Sequence, residues 1–363
     1  MRFSFRCVTL AACALCLVAV SGMPALGQQD DKPIFPRLTE IEARFRLAAE
    51  NLDRGKISAL VSLAKNTRGA ESAAAFRAAF DLAVARNLYT EAETAAQAYL
   101  TRDTAGEPQS QALAASIVLV NRASRGEYEQ SLADLETFLK RRTAEKLPQD
   151  QRLPPGLIFA VAEAYLQRLF QGSRYDIAKK VCELAVAEHL DPTVKAYFER
   201  RKARIEMIGK PAPAIEGTDV DGRTVRLADF QGKVVLVEFW ATWCPPCVSA
   251  FPLLYQVARE HKDQGFVVLG VNLDQLARTG AGGKETSIEA TTKNVRWFLI
   301  TQSAGWPNLI GPGAEAAARA YGVEEIPARF LIGRDGTIEQ LEQRDQALAR
   351  SIEQALAKPA RKR

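Results

Sequence analysis

Cysteine is scarce in this chain. There are six in 363 residues, and Cys7, Cys13 and Cys16 fall within the first twenty. An exported fold stapled by several disulfides is therefore excluded, and stability has to come from packed cores. Histidine is scarcer. His189 and His261 are the only two, they do not sit at paired ligand spacing, and there is no second C-x-x-C. A four-ligand zinc site lacks its donors, so no metal or other cofactor is expected. No apolar run is comfortable at the ~20 residues of a membrane helix. An excess of one charge is missing too. Lys and Arg number 48 against 43 Asp and Glu, a formal net charge of +5. That is too mild for a nucleic-acid footprint, and nucleic acid is not an expected partner. What is present is ordinary globular composition, 47% hydrophobic and 25% charged, in a length that suits two or three domains.

Residues 1–27 have the pattern of a signal peptide. Arg2 and Arg6 give a positive start, residues 7–20 an apolar stretch, and Ala25-Leu26-Gly27 small residues at the positions a signal peptidase reads. Cleavage after Gly27 is expected, with export to a periplasm or cell envelope. Cys13 comes too early for a lipoprotein box. The mature chain then carries about +3, that is 5 minus 2. It keeps only Cys182, Cys244 and Cys247. The apolar neighbours Ala178, Val181, Ala185 and Val186 mark Cys182 as a buried, inert thiol on a helix face.

Residues 28–207 predict an all-α domain. Ile41, Phe45, Ala48, Ala49 and Leu52 recur at helical spacing, as do Leu132, Leu135, Phe138 and Leu139. Breaks are expected at Gly55, Gly69, Gly106 to Pro108, Gly126, 153–156, Gly172 and Asp191-Pro192. Tyr89, Tyr128 and Tyr175 each sit near a turn signal and resemble the tetratricopeptide pattern. Their spacings of 39 and 47 residues depart from that family's 34. The expectation is an irregular helical repeat, either a plain scaffold or a concave surface for a protein partner.

The composition changes at Ile208-Gly-Lys-Pro-Ala-Pro213. From 208 to 358 strands and helices alternate: a hairpin at 215–218 and 224–227 around Asp221-Gly222, a strand at 234–240, a helix at 248–260 and a strand at 266–272. A Gly-rich loop at 279–283 follows, then helices at 288–302 and 314–321, strands at 329–332 and 337–340, and a last helix to about 356. The expected fold class is an α/β sandwich with a mixed sheet, C-terminal to the all-α part. Residues 359–363 form a short basic tail, expected to be solvated.

The chemistry concentrates at Trp243-Cys244-Pro245-Pro246-Cys247, directly after the apolar strand. A thiol at the start of a helix meets unpaired N–H groups and the positive end of the dipole, which stabilise the reactive thiolate. A structural disulfide is a poorer explanation, because so short a loop barely constrains the unfolded chain.

These residues, with Gly209-Lys-Pro-Ala-Pro213, Leu227-Ala-Asp-Phe-Gln-Gly-Lys233, Gly322-Val323, Ile326-Pro327, Phe330-Leu-Ile332 and Asp335-Gly336, resemble the thioredoxin superfamily. The closer likeness is to its TlpA/ResA-like exported thiol–disulfide oxidoreductases. The resemblance implies an enzyme in which Cys244 attacks a disulfide and Cys247 resolves the mixed disulfide. It implies that Pro327 is a cis-proline beside the pair, with Ile326 offering backbone groups to an extended substrate. Trp243 is expected as a partly exposed cover and Trp240 as core. Glu238 lies where thioredoxins carry a buried acid. A carboxylate in an apolar strand has to be neutral or paired. It is expected either to shuttle a proton to and from Cys247 with a raised pKa, or to pair with a lysine such as Lys233.

Pro245 and Pro246 have no N–H, so Cys244 has no donor in the loop except Cys247. That disfavours the reduced form and predicts a reductant of protein disulfides, including those of cytochrome c apoproteins. An oxidase or isomerase, or a binding module led by the helical part, is the alternative. A peroxidase would need a P-x-x-x-T-x-x-C setting, which Cys244 lacks. The expected partners are a disulfide-containing protein substrate, a membrane thiol-electron donor and a possible protein partner on the helical part.

Overall fold

The Ala- and Leu-rich first half folds into helices in the computed structural model, which describes residues 35–101, 108–143, 155–187, 192–275, 287–343 and 345–359. The expected signal peptide, the Gly-rich loop at 279–283 and residues 360–363 of the tail lie outside the described residues. The helices are α1 (Phe35–Asn66), α2 (Gly69–Ala85), α3 (Tyr89–Leu100), α4 (Pro108–Ser124), α5 (Tyr128–Thr143), α6 (Pro155–Gln171), α7 (Tyr175–Ala187) and α8 (Pro192–Ile205). Gly55 does not break α1. A lone glycine costs a helix only about 1 kcal/mol, which packing of a long helix absorbs. Nor do Ile41, Phe45 and Leu52 form a core face. They are exposed, and α1 buries Ile57 and Ala64 instead.

Three helical hairpins, α2–α3, α4–α5 and α6–α7, share one turn. Each has three connecting residues, and the middle one is left-handed: Asn87 (φ 57°), Gly126 (φ 84°) and Ser173 (φ 55°). In each, the third residue's N–H donates to the carbonyl five residues back: Leu88 to Ala83, Glu127 to Arg122, and Arg174 to Leu169. This closure satisfies carbonyls at the end of the first helix. The next residue is the tyrosine that opens the second helix. Tyr89, Tyr128 and Tyr175 are therefore equivalent positions despite their uneven spacing. Arg168 lies 5.5 Å over the Tyr89 ring and Arg174 lies 5.0 Å over Tyr128. Helix α4 packs against both α2 and α6, so the first helices of the hairpins lie side by side.

After the linker the elements are β1 (Glu216–Asp219), β2 (Thr224–Arg226), β3 (Val234–Trp240), α9 (Pro245–Val248), α10 (Phe251–Glu260) and β4 (Phe266–Asn272). They continue with α11 (Ile288–Thr301), β5 (Asn308–Ile310), α12 (Pro312–Ala320), β6 (Ala328–Ile332), β7 (Ile338–Leu341) and α13 (Asp345–Ala357). The strands form one mixed sheet in the order β2-β1-β5-β4-β3-β6-β7, with β3, β4 and β5 parallel. Alternation along β3 splits its side chains between two layers. Val235, Val237 and Phe239 pack with Ala314, Ala317 and Tyr321 by α12. Val234 and Leu236 pack with Leu254 and Val257 of α10 and Leu348 and Ile352 of α13. This is the expected thioredoxin-like sandwich. Two details differ from the sequence expectation. The helix expected at 248–260 is interrupted at Ser249 and Ala250, with Pro252 in the first turn of α10, where its missing N–H costs nothing. Strand β5 was not expected, being three residues long after Pro307.

The helical half is tied to the sheet at β7. Gly209 donates to Ile338 O (2.8 Å), and Ile338 N donates to Lys210 O (3.0 Å), so the linker covers this edge. The Tyr175 hydroxyl donates to Gln340 Oε1 (2.7 Å) and accepts from Leu341 N (2.8 Å) and Gln343 Nε2 (3.1 Å). Buried Arg201 and Arg204 of α8 both reach Glu342, at 3.2 and 3.1 Å, and Arg201 also pairs with Glu163 of α6. Ions this deeply buried must be paired to be tolerated. The Tyr175→Phe substitution strips a partner from three polar groups at this junction. We expect it to lower stability by about 1–3 kcal/mol in urea unfolding; a loss within error of zero would show that the junction adds nothing.

Candidate active site

Strand β3 ends at Trp240, and the chain passes through Ala241, Thr242 and Trp243 into α9. Cys244 caps α9 with extended backbone (φ −96°, ψ 99°), while Cys247 lies within it. One helical turn brings the two sulfurs together, and they are joined as a disulfide with Cα atoms 5.3 Å apart. Cys247 is fully buried and Cys244 is 4% exposed. The N–H of Cys247 donates to Cys244 Sγ at 3.3 Å. Pro245 and Pro246 have no N–H to add to it. Both prolines are exposed, and Trp243 is 53% exposed, so these three side chains form the rim around the disulfide. Trp240 is core. Its indole N–H donates to Asn308 Oδ1 (3.0 Å), and a side chain at Gly270 would collide with that amide.

The second wall comes from β6. It runs antiparallel to β3 with Phe239 opposite Ala328. The residues just beyond Phe239 on β3 therefore lie beside those just before Ala328. The Ile326–Pro327 peptide bond there is cis, and Ile326 packs against the apolar cluster that contains Cys244 and Cys247. Cys244, Cys247, Trp243, Pro245, Pro246 and Ile326 are thus gathered in one place, with Pro327 adjoining.

The lysine partner expected for Glu238 is not what the structure holds. Its partner is not Lys233, which is exposed and lies over the Phe230 ring. Glu238 faces Arg329 across the β3–β6 pair, and both side chains are buried. Arg329 Nε and Nη2 donate to Oε2 and Oε1, at 2.5 and 3.1 Å, and Nη1 donates to Gln343 O (3.2 Å). A guanidinium keeps its proton. Both oxygens of the Glu238 carboxyl group are thereby engaged by one two-pronged partner. The sequence could not announce this, because the register that sets position 238 against 329 is tertiary.

Asp274 also escaped the sequence reading. It follows β4 and accepts from Thr242 N and Thr242 Oγ1, both at 2.7 Å, which fixes the segment leading into Cys244. Its signal was position: a polar residue just past the carboxyl end of an apolar strand, where sites in α/β sheets gather. Cys182, by contrast, is remote from this chemistry. It is buried and free, and burial pushes its thiol up to about 12.

Residues 208–341 match the AhpC/TSA family. A thiol–disulfide oxidoreductase ResA from Bacillus cereus is 32% identical over 146 residues, which cover 40% of this chain and 74% of that protein. The chain belongs to the ResA-like thiol–disulfide oxidoreductases. The ResA of Geobacillus kaustophilus is likewise 32% identical, over 149 residues, 41% of this chain and 76% of that protein. Among solved structures, a thiol:disulfide interchange protein from Bacteroides sp. is 28% identical and covers 41% of this chain and 90% of its own, with a TM-score of 0.35. All these matches cover less than half of this chain.

Replacing Glu238 with Gln should remove the carboxylate that buried Arg329 grips with two donors. The expected cost is about 3–5 kcal/mol in chemical unfolding; a cost below about 1 kcal/mol would contradict the ion pair. At pH 8 a thiol titrating near 12 is about one part in ten thousand thiolate. Iodoacetamide at that pH should leave Cys182 of the native protein unmodified while it labels reduced Cys244, as peptide mass mapping will show.

Proposed function

We propose that this protein is an exported reductant of protein disulfides, acting through the Cys244/Cys247 dithiol. The observation that carries this reading is the poverty of donors at Cys244 Sγ. A single N–H, that of Cys247, points at it from the loop between the cysteines, and α9 is only four residues long. A thiolate with few donors is weakly stabilised, so the reduced pair readily gives up its electrons.

The Cys244 thiolate attacks one sulfur of the substrate disulfide and expels the other as a thiolate, which takes a proton. The Cys247 thiol loses its proton and attacks Cys244 Sγ, releasing the second substrate thiol. The pair is left as a disulfide, and the substrate gains two electrons and two protons. Pro327 and the backbone of Ile326 border the attacked bond, where an extended substrate chain would lie, and Trp243, Pro245 and Pro246 form the surface it meets. Glu238 holds Arg329 and the start of β6 in register.

The division of the chain follows the sequence reading: a signal peptide at 1–27, a helical-repeat domain at 28–207, the redox domain at 208–358 and a basic tail at 359–363. Outside the cytoplasm the pair needs a membrane thiol-electron donor to return it to the dithiol. Equilibration of the protein with thiol/disulfide buffers should give a potential near or below about −230 mV. A value near about −120 mV would make it an oxidant and overturn the direction proposed.

A further inference from the structure

The outermost helix of the repeat stack carries an apolar stripe that no described residue covers. Helix α1 packs on α2 and α3 through buried Ile57 and Ala64, with Glu50 and Asp53 half-buried on the same side. Well round the helix from that face, Ile41, Phe45, Ala48, Leu52, Gly55 and Ala59 are all exposed. Phe45 and Leu52 are 73% and 74% exposed, and neither they nor Ile41 pack against the core of the helical half. Repeat stacks otherwise end in a polar outer face.

The spacing says what kind of surface fits. Steps of four, three, four, three and four residues are the a and d positions of a heptad repeat. Such a seam is narrower than the apolar face a helix turns to a core, and it matches a second helix. An anionic lipid surface suits it less. The charges of α1 are of both signs, and several are spent within the fold: Arg54 pairs with Glu50 and Glu91, and Asp53 with Arg86. Nor does the start of the processed chain fill the seam. After cleavage at Gly27 the seven residues 28–34 precede α1, with Ile34 their one large apolar side chain. Fully extended at about 3.5 Å each they reach about 25 Å. Ala59 lies about 36 Å along the helix from Phe35.

Two copies of the seam fit each other. In an antiparallel pair each a position faces a d position. Phe45 of one copy then lies opposite Ala48 of the other, and Ile41 opposite Leu52, so the layers are of similar volume. A parallel pair would set Phe45 on Phe45 and Ala48 on Ala48, an overfilled layer beside an empty one. We propose that α1 joins two copies of this chain as an antiparallel helix pair, about a two-fold axis between Arg46 and Leu47. A self-complementary contact of this kind closes at two copies, and it puts two Cys244–Cys247 pairs on one particle. The inference rests on the proposed removal of residues 1–27 and not on the direction of electron flow.

The test uses the full processed chain, residues 28–363. Sedimentation equilibrium at about 1 to about 100 μM should show a mass twice that of the chain at the upper end. Phe45→Glu sets a charge against Ala48 of the other copy. Phe45 is exposed in the single chain, so the fold stands, as unchanged exchange with a small disulfide will show. The dimer dissociation constant should rise about thirtyfold or more, the loss of one hot-spot side chain. With Cys244→Ser and Cys247→Ser as background, Ile41→Cys combined with Leu52→Cys places the bridging sites. A bis-maleimide spanning about 8 Å, the separation of packed helices, should join position 41 of one copy to position 52 of the other. Within one helix those positions are about 16 Å apart, out of its reach. A monomer throughout, a dissociation constant unchanged by Phe45→Glu, or a bridge between the two positions 41 would each overturn the proposal. A monomer that sediments with anionic phospholipid vesicles would overturn it in favour of a membrane surface.

Discussion

Strand β3 is buried on both faces and hydrogen-bonded along both edges, to β4 and to β6. Six of its seven residues are apolar, and of these only Trp240 needs a polar partner, which Asn308 supplies. The seventh is Glu238, whose carboxylate has no access to water, and the low dielectric around it demands a full partner. Arg329 meets that demand from the facing position of β6, and Arg329 in turn is held by Gln343 O. The register fixed by this pair carries directly into the site of the Cys244–Cys247 disulfide. One residue beyond the Phe239–Ala328 pairing, β3 runs toward the cysteines and β6 begins at the cis-proline. The two walls of the site are thus the ends of neighbouring antiparallel strands.

A second constraint docks the helical half. Arg201 and Arg204 are too deeply buried to remain unpaired, and Glu163 and Glu342 lie one on each side of the junction. Tyr175, the repeated tyrosine of the third hairpin, uses its hydroxyl for contacts with β7 and the residues after it, whereas Tyr89 and Tyr128 face arginines of that third hairpin. One position in a repeat has been turned from internal packing to joining the two halves. The same geometry sets α6 and α8 beside Pro327, where a two-layer sandwich alone would leave that loop open.

Much of this architecture is legible in local patterns of the sequence. The seven-residue apolar run marks β3, period-3.6 patterns mark the helices, and Asp221-Gly222 marks the β1–β2 turn, because local sterics and burial act on near neighbours in the chain. Cys244 and Cys247 are three residues apart, so their meeting needs only one helical turn. The expectations that failed depended on distant neighbours. Ile41, Phe45 and Leu52 have helical spacing but lie exposed. Gly55 is a breaker by propensity that α1 carries through. Strand β5 is too short to show a period.

The sequence by itself determined the dithiol, its poverty of donors, the strand that presents it and the helical character of the first half. Each of these follows from residue type and short-range spacing. The tertiary structure alone decided the partner of Glu238, the role of Asp274 and a cavity between α6, α8 and Glu325. These groups are separated by 32 to more than 160 residues in the chain. Their meeting is set by strand register and helix docking, which no local pattern encodes.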